Sequence, residues 1–151
     1  MVVLAAIGEE EASKRVIEAA EELATAYDED LVVVHVIPDD AMDEHIRTMR
    51  ELPGYSDTGV SDETERAADF ARRMVETTLD QTQRERVTVE GRVGSPEAQI
   101  RSTAEELDAR YLVIGGRGRS PVGKAMFGST TQSILLKSDR PVLTIRTTDD
   151  R

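Results

Sequence analysis

Five runs of β-branched and aliphatic residues punctuate the chain: Val2–Ile7, Leu31–Ile37, Val87–Val93, Tyr111–Ile114 and Val142–Ile145. Their length and composition predict strands. From Ala12 onward the apolar positions Val16, Ala19, Ala20, Leu23 and Tyr27 recur at helical spacing with Glu and Lys between them, which predicts an amphipathic first helix. Asp62, with Glu65 three residues on, gives a start signal for a second helix continuing through Ala67, Phe70, Ala71, Met74, Val75 and Leu79. Ser95 and Pro96 supply an N-cap and a first-turn proline for a third helix, whose buried face is Ile100, Ala104 and Leu107. A last helix is expected from about Ser129 to Lys137, with Ile134 and Leu135 apolar, Ser129–Thr131 as capping hydroxyls and Asp139–Pro141 as the stop. Pro38–Val60 mixes Pro, Gly, Asp and Ser with short apolar pieces, and reads as a long, mobile connection.

The resulting order is βαβαβαβαβ, without internal repeat. Such alternation predicts a single α/β domain over residues 1–151: a doubly wound, Rossmann-like parallel sheet of five strands with helices on both faces. Ligands of these sheets bind beyond the carboxyl ends of the strands, where the strand order reverses. The residues just after each run therefore matter most: Ile7 and Gly8, Val36 to Pro38, Gly94, and Gly115 onward.

Composition supports this class. Only 3% of the residues are aromatic, so the core must be built from Val, Ile, Leu and Ala, as in helix-covered parallel sheets. The absence of cysteine removes disulfides, thiolate metal sites and thiol catalysis. The first run resembles a strand rather than a leader and no apolar stretch is long enough to cross a membrane, so a cytoplasmic protein is expected. Thirty acidic against nineteen basic residues give a net charge of -11, which argues against nucleic acid or an anionic membrane as partner. The acidity serves solubility or adaptation to a salt-rich cytoplasm.

One segment reverses the sign. Between Ala109 and Ser138 there is no Asp or Glu, while Arg110, Arg117, Arg119, Lys124 and Lys137 fall inside the window. Its centre reads GGRGRSPVGKAMFGSTTQ, from Gly115 to Gln132, at a strand exit that leads into a helix N-terminus, where free N–H groups favour an anion. Gly118 to Lys124 is G-x-x-x-x-G-K, the beginning of an NTPase phosphate loop. That motif needs Ser or Thr after the lysine for Mg²⁺ and a helix starting there; here Ala125 follows, and Gly128 would fall in the first helical turn. A second spacing fits better: Gly115-x-x-Gly118, nine residues, then Gly128-Ser129. It puts one glycine pair at the strand exit and a glycine with a hydroxyl at the helix entry, a phosphate cradle.

G-x2-G-x9-G-[ST] resembles the nucleotide-binding signature of the universal stress protein family, in its ATP-binding subgroup. LVVVHVI (31–37) is similar to that family's second strand, GRVGSPEAQI (91–100) to its V-x-G-x-P-x-x-x-I segment, and YLVIGGRGRS (111–120) with RPVLTIR (140–146) to its last two strands. The resemblance covers nearly the whole chain. It implies that Gly115, Gly118, Gly128 and Ser129 hold the phosphates of ATP, with Mg²⁺, and that the backbone of Val36 meets the adenine. Gly94 lies near the pocket in the family pattern, and equally suits a residue preceding a helix. Arg117, Arg119 and Thr130 are further candidates for phosphate contacts. One place departs from the pattern: where the family's first strand ends in Asp-Gly-Ser, this chain has Ile7-Gly8-Glu9, and Ile accepts no ribose or base hydrogen bond. Glu9, Glu10 and Glu11 either substitute for the Asp or cap the first helix.

Other chemistry is not indicated. His35 and His45 have no partner histidine at metal-ligand spacing, and His35 reads as a packed strand residue. No G-x-S-x-G elbow or Ser-His-Asp set is present. The leading expectation is a stress-response binding protein whose interactions depend on ATP. A dimeric module with a decayed nucleotide site, and a slow ATPase or self-phosphorylating protein modified at Ser120, Ser129, Thr130 or Thr131, are the alternatives. The resemblance also implies a homodimer in which the last strand, Val142, Leu143, Thr144 and Ile145, pairs with its copy, covering an apolar edge.

Overall fold

The computed structural model describes residues 1–8, 12–38, 59–116 and 128–146. Glu9, Glu10 and Glu11, nearly all of the expected mobile connection, and Arg117, Gly118, Arg119, Ser120 and Lys124 lie outside the described residues. The elements are β1 (Val2–Ile7), α1 (Ser13–Ala26), β2 (Asp30–Pro38), α2 (Gly59–Thr78), a short 3-10 turn (Gln83–Arg86), β3 (Val87–Gly94), α3 (Pro96–Leu107), β4 (Ala109–Gly116), α4 (Ser129–Lys137) and β5 (Val142–Arg146). All five strands are parallel, in the order β3-β2-β1-β4-β5. The α/β sandwich expected from the alternation of runs is thus formed, and the order reverses between β1 and β4.

Each central strand is buried on both faces, which explains its unbroken apolar run. Successive side chains alternate between two cores. Val3, Ala5 and Ile7 join Leu31, Val33 and Val113 beneath Val16, Ile17, Ala20 and Ala24 of α1 and Ala71 and Val75 of α2. Leu4 and Ala6 join Val32, Val34, Val36, Leu112 and Ile114 on the other face, against Ile100 and Ala104 of α3 and Ile134 of α4. Gly91 has a packing reason to be glycine: a Cβ there would overlap the backbone of Thr64 and Ala68, so α2 lies directly on β3.

Several expectations need correction. The second helix starts at Gly59, ahead of Asp62. Tyr27 is past the end of α1 and 43% exposed, its ring 5.4 Å from that of Tyr111; Ile17 and Ala24 complete the inner face of α1 instead. Leu135 is largely exposed beside the buried Ile134. Gly115 and Gly116 do not follow β4 but belong to it, because the ladder with β5 continues through Gly115–Ile145 and Gly116–Arg146. Gly94 is likewise the last residue of β3, and Val36 lies inside β2 as its place in the Leu31–Ile37 run implies.

Candidate functional site

The ladder between β1 and β4 runs from Val2–Ala109 to Ala5–Val113 and stops there. On the outer sides pairing goes on, between β1 and β2 to Ile7–His35 and between β4 and β5 to Gly116–Arg146. The carboxyl edge of the sheet therefore splits open at the point where strand order reverses, where a crevice is expected in this architecture.

On the β1 side, Ile7 is 7% exposed and its side chain packs in the core with Val16 and Ile17. Its carbonyl accepts a hydrogen bond from His35 Nδ1 at 3.0 Å, which assigns the proton to that nitrogen. The His35 ring is buried against Phe70, with centroids 4.5 Å apart, so the reading of His35 as a packed strand residue holds. Gly8 comes next. Its N–H donates to Ser13 Oγ at 2.9 Å, and the same hydroxyl donates to the Gly8 carbonyl at 2.9 Å. Ser13 is 3% exposed. Its only sequence signal is a hydroxyl at a helix start just after an acidic run.

On the β4 side, Gly115 sits close to α1, where a Cβ would come 3.3 Å from Val16 Cγ2. The Gly115 carbonyl accepts a hydrogen bond from Thr131 Oγ1 at 2.9 Å. Thr131 is thus not a capping hydroxyl; it ties the first turn of α4 to the strand. Gly128 is the N-cap, extended at φ -66 and ψ 165, and as a glycine it offers the helix no capping side chain. The exposed Ser129 and half-buried Thr130 therefore occupy the first turn of a helix whose leading N–H groups have no side-chain acceptor among the described residues.

The other candidates lie farther along the same edge. Val36 follows His35, the partner of the last β1 residue, and its side chain is in the α3 core. Gly94 ends the outer strand β3 at φ +145, a backbone conformation that calls for glycine, with the flexible Gln99 side chain beside it.

The basic window divides in space. Arg110 opens β4 at the amino edge, pairs with Glu29 at 2.9 Å and lies 4.3 Å over the Tyr27 ring. The hydrogen bond it donates to Glu29 holds its guanidinium above the ordinary arginine value. Lys137 ends α4 at that same edge, 3.9 Å from Glu97. Neither is near the split. A cavity of about 130 Å³ lined by Arg101, Lys137, Ser138 and Arg140 also lies toward the amino edge. Among the described residues no group of three or more His, Asp or Glu side chains is placed to hold a metal, and no helix is long and apolar enough to cross a membrane.

Comparison with known proteins adds to this geometry. A model described as the universal stress protein family matches residues 1–146. A universal stress protein of Mycolicibacterium smegmatis is 42% identical over 48 residues, 32% of this chain and 37% of the relative. Universal stress protein MJ0577 of Methanocaldococcus jannaschii is 30% identical over 54 residues, 36% of this chain and 33% of the relative, so these matches span about a third of each relative. A solved structure of MJ0577 superimposes with a TM-score of 0.73 at 19% identity, covering 99% of this chain and 97% of that one. A universal stress protein of Archaeoglobus fulgidus in complex with dAMP gives a TM-score of 0.57 at 22% identity, covering 96% and 97%. A universal stress protein in complex with cAMP gives 0.67 at 18%, covering 98% of each chain.

Proposed function

This chain belongs to the universal stress protein family, and we propose from that premise that it binds ATP with Mg²⁺ at the split carboxyl edge and acts as a nucleotide-dependent interaction module in the cytoplasm. The observation that carries the proposal is the parting of β1 from β4 next to the N-terminus of α4, whose N-cap is a glycine. Phosphates are the natural guests of such a helix end. In this reading Gly115, Gly128, Ser129 and Thr130 line the phosphate half and Ile7, Gly8, Val36 and Gly94 flank the nucleoside half; Arg117, Gly118 and Arg119, outside the described residues, are assigned to the phosphates by the family resemblance alone. Relatives solved with dAMP and with cAMP support an adenine nucleotide as the ligand class. Mg²⁺ keeps most of its ligands as water and phosphate oxygens, so the Ser129 and Thr130 hydroxyls suit it without a carboxylate cage.

The homodimer through β5 belongs to the same proposal. The two edges of the sheet are built differently. On β3, Arg92 bonds Glu90 at 2.8 Å and Glu106 at 2.7 Å, and such charges guard an edge against pairing. On β5, Leu143 is 40% exposed.

The test is mass spectrometry of small molecules released from the denatured protein, with calorimetric titration of ATP, ADP, AMP and GTP in the presence of Mg²⁺. Saturable binding of ATP is expected. No nucleotide binding at millimolar concentration would leave the second reading, a dimeric module with a decayed site, which the Ile7-Gly8-Glu9 sequence favours.

A further inference from the structure

We propose that Ser13 is a positioning residue for the nucleoside half of the nucleotide site; the proposal rests on the nucleotide reading above. Beyond Ala5–Val113 the β1 backbone has no ladder partner on the β4 side. Its polar groups must be satisfied elsewhere, because buried main-chain groups rarely stay unpaired. The chain does this with two side chains from different elements. His35 of β2 takes the carbonyl of Ile7, and Ser13 of α1 takes both the N–H and the carbonyl of Gly8.

One hydroxyl that accepts from and donates to the same residue folds the β1 exit back onto the start of α1. Ser13 thereby holds the β1 wall of the split in place, and does so from a position that is 3% exposed, too covered to reach a ligand itself. Without it, both Gly8 groups lose their partner, and the β1 exit must shift or draw water into the crevice. Either outcome alters the nucleoside side and leaves the α4 end, tied independently by Thr131 to Gly115, where it was.

The experiment compares the parent with Ser13→Ala and with Thr103→Val. Thr103 is a fully buried α3 hydroxyl that bonds the Gln99 carbonyl at 2.6 Å, and Thr103→Val controls for general loss of stability. Three quantities are read: amide exchange at Gly8, affinity for ATP and AMP, and affinity for inorganic tripolyphosphate. In Ser13→Ala, exchange at Gly8 should accelerate and ATP and AMP affinity fall about tenfold, while tripolyphosphate binds as it does to the parent. Thr103→Val should bind all three as the parent does. Unchanged nucleotide affinity in Ser13→Ala, or an equal loss for tripolyphosphate, would overturn the proposal. If Ser13→Ala does not fold, Ser13→Cys, with a weaker donor of similar size, gives the same readouts with smaller shifts. Failure of the nucleotide reading looks different: the parent then takes up neither ATP nor tripolyphosphate, although Gly8 exchange still responds to Ser13→Ala. That result removes the role in binding and leaves a structural clamp.

Discussion

Thr131 Oγ1 donates a hydrogen bond of 2.9 Å to the carbonyl of Gly115, so the first turn of α4 and the end of β4 move as one piece. Thr131→Val keeps the shape and removes the donor. Stability should fall by about 1 kcal/mol, the net worth of one such bond, read as a lower urea midpoint. ATP affinity should fall with it, because the helix end loses its register against the strand. Unaltered affinity would detach α4 from the phosphate site.

Gly128 adopts φ -66 and ψ 165, a conformation open to any residue. Backbone strain therefore gives no reason for glycine at this position; in the proposed site its missing side chain leaves room for phosphate. Gly128→Leu should preserve the thermal unfolding midpoint and abolish phosphate binding. If ATP bound with parental affinity, the glycine cradle would be wrong.

Gly91 is the opposite case, since its missing side chain is filled by the backbone of α2. Gly91→Ala should force α2 off β3 and cost about 1–3 kcal/mol, the usual penalty of overpacking. The measurement is the urea unfolding midpoint.

At β5, Leu143→Lys places a charge on the exposed edge strand. Edge lysines oppose strand pairing. Sedimentation should find the parent as a dimer and the variant as a monomer, with unchanged far-ultraviolet circular dichroism. A parent that sediments as a monomer would remove the β5 dimer.

Glu97 gives a pH dependence whose sign follows from its neighbours. Desolvation raises its carboxyl, but hydrogen bonds from Arg101 and Ser133 and the charge of Lys137 outweigh it and hold it below the ordinary glutamate value. A depressed folded value stabilises fully above the unfolded value of about 4.3, and that contribution is lost as pH falls through the folded value. Glu97→Gln should therefore destabilise at pH 7 by less than about 1 kcal/mol, as expected of a solvent-screened pair. The difference should vanish in denaturation curves measured at more acidic pH.

Much of this architecture was legible because period alone separates its parts. Val2–Ile7 and Leu31–Ile37 are apolar without a break and are buried on both faces; Val16, Ala20 and Ala71 sit at helical spacing and meet the sheet. What escaped was decided by contacts between distant segments. Gly91 looks like an ordinary strand residue until α2 lies on it. Tyr27 continues the period of α1, but the helix ends before it and a tyrosine partner waits at β4. The basic window misled for a related reason. β4 is eight residues long and crosses the sheet over roughly 25 Å at the rise of an extended chain, so Arg110 and Gly115 are neighbours in sequence at opposite edges. At the site, the glycine spacing put Gly115 at the end of β4 and Gly128 at the start of α4, as found. The Ser13 clamp left no comparable trace, because a hydroxyl's partner is set by where the chain turns.

At the amino edge, two aspartates end their helices in the left-handed conformation, Asp28 at φ 56 and Asp108 at φ 52. Each is gripped by an arginine from a later segment, Arg86 on Asp28 at 2.6 Å and Arg140 on Asp108 at 3.1 Å. These pairs bind the amino side of the molecule like the spine of a book. Wear on the spine should shorten how long the fold lasts in denaturant without changing what the pages hold, so durability and ligand choice can be altered by separate substitutions.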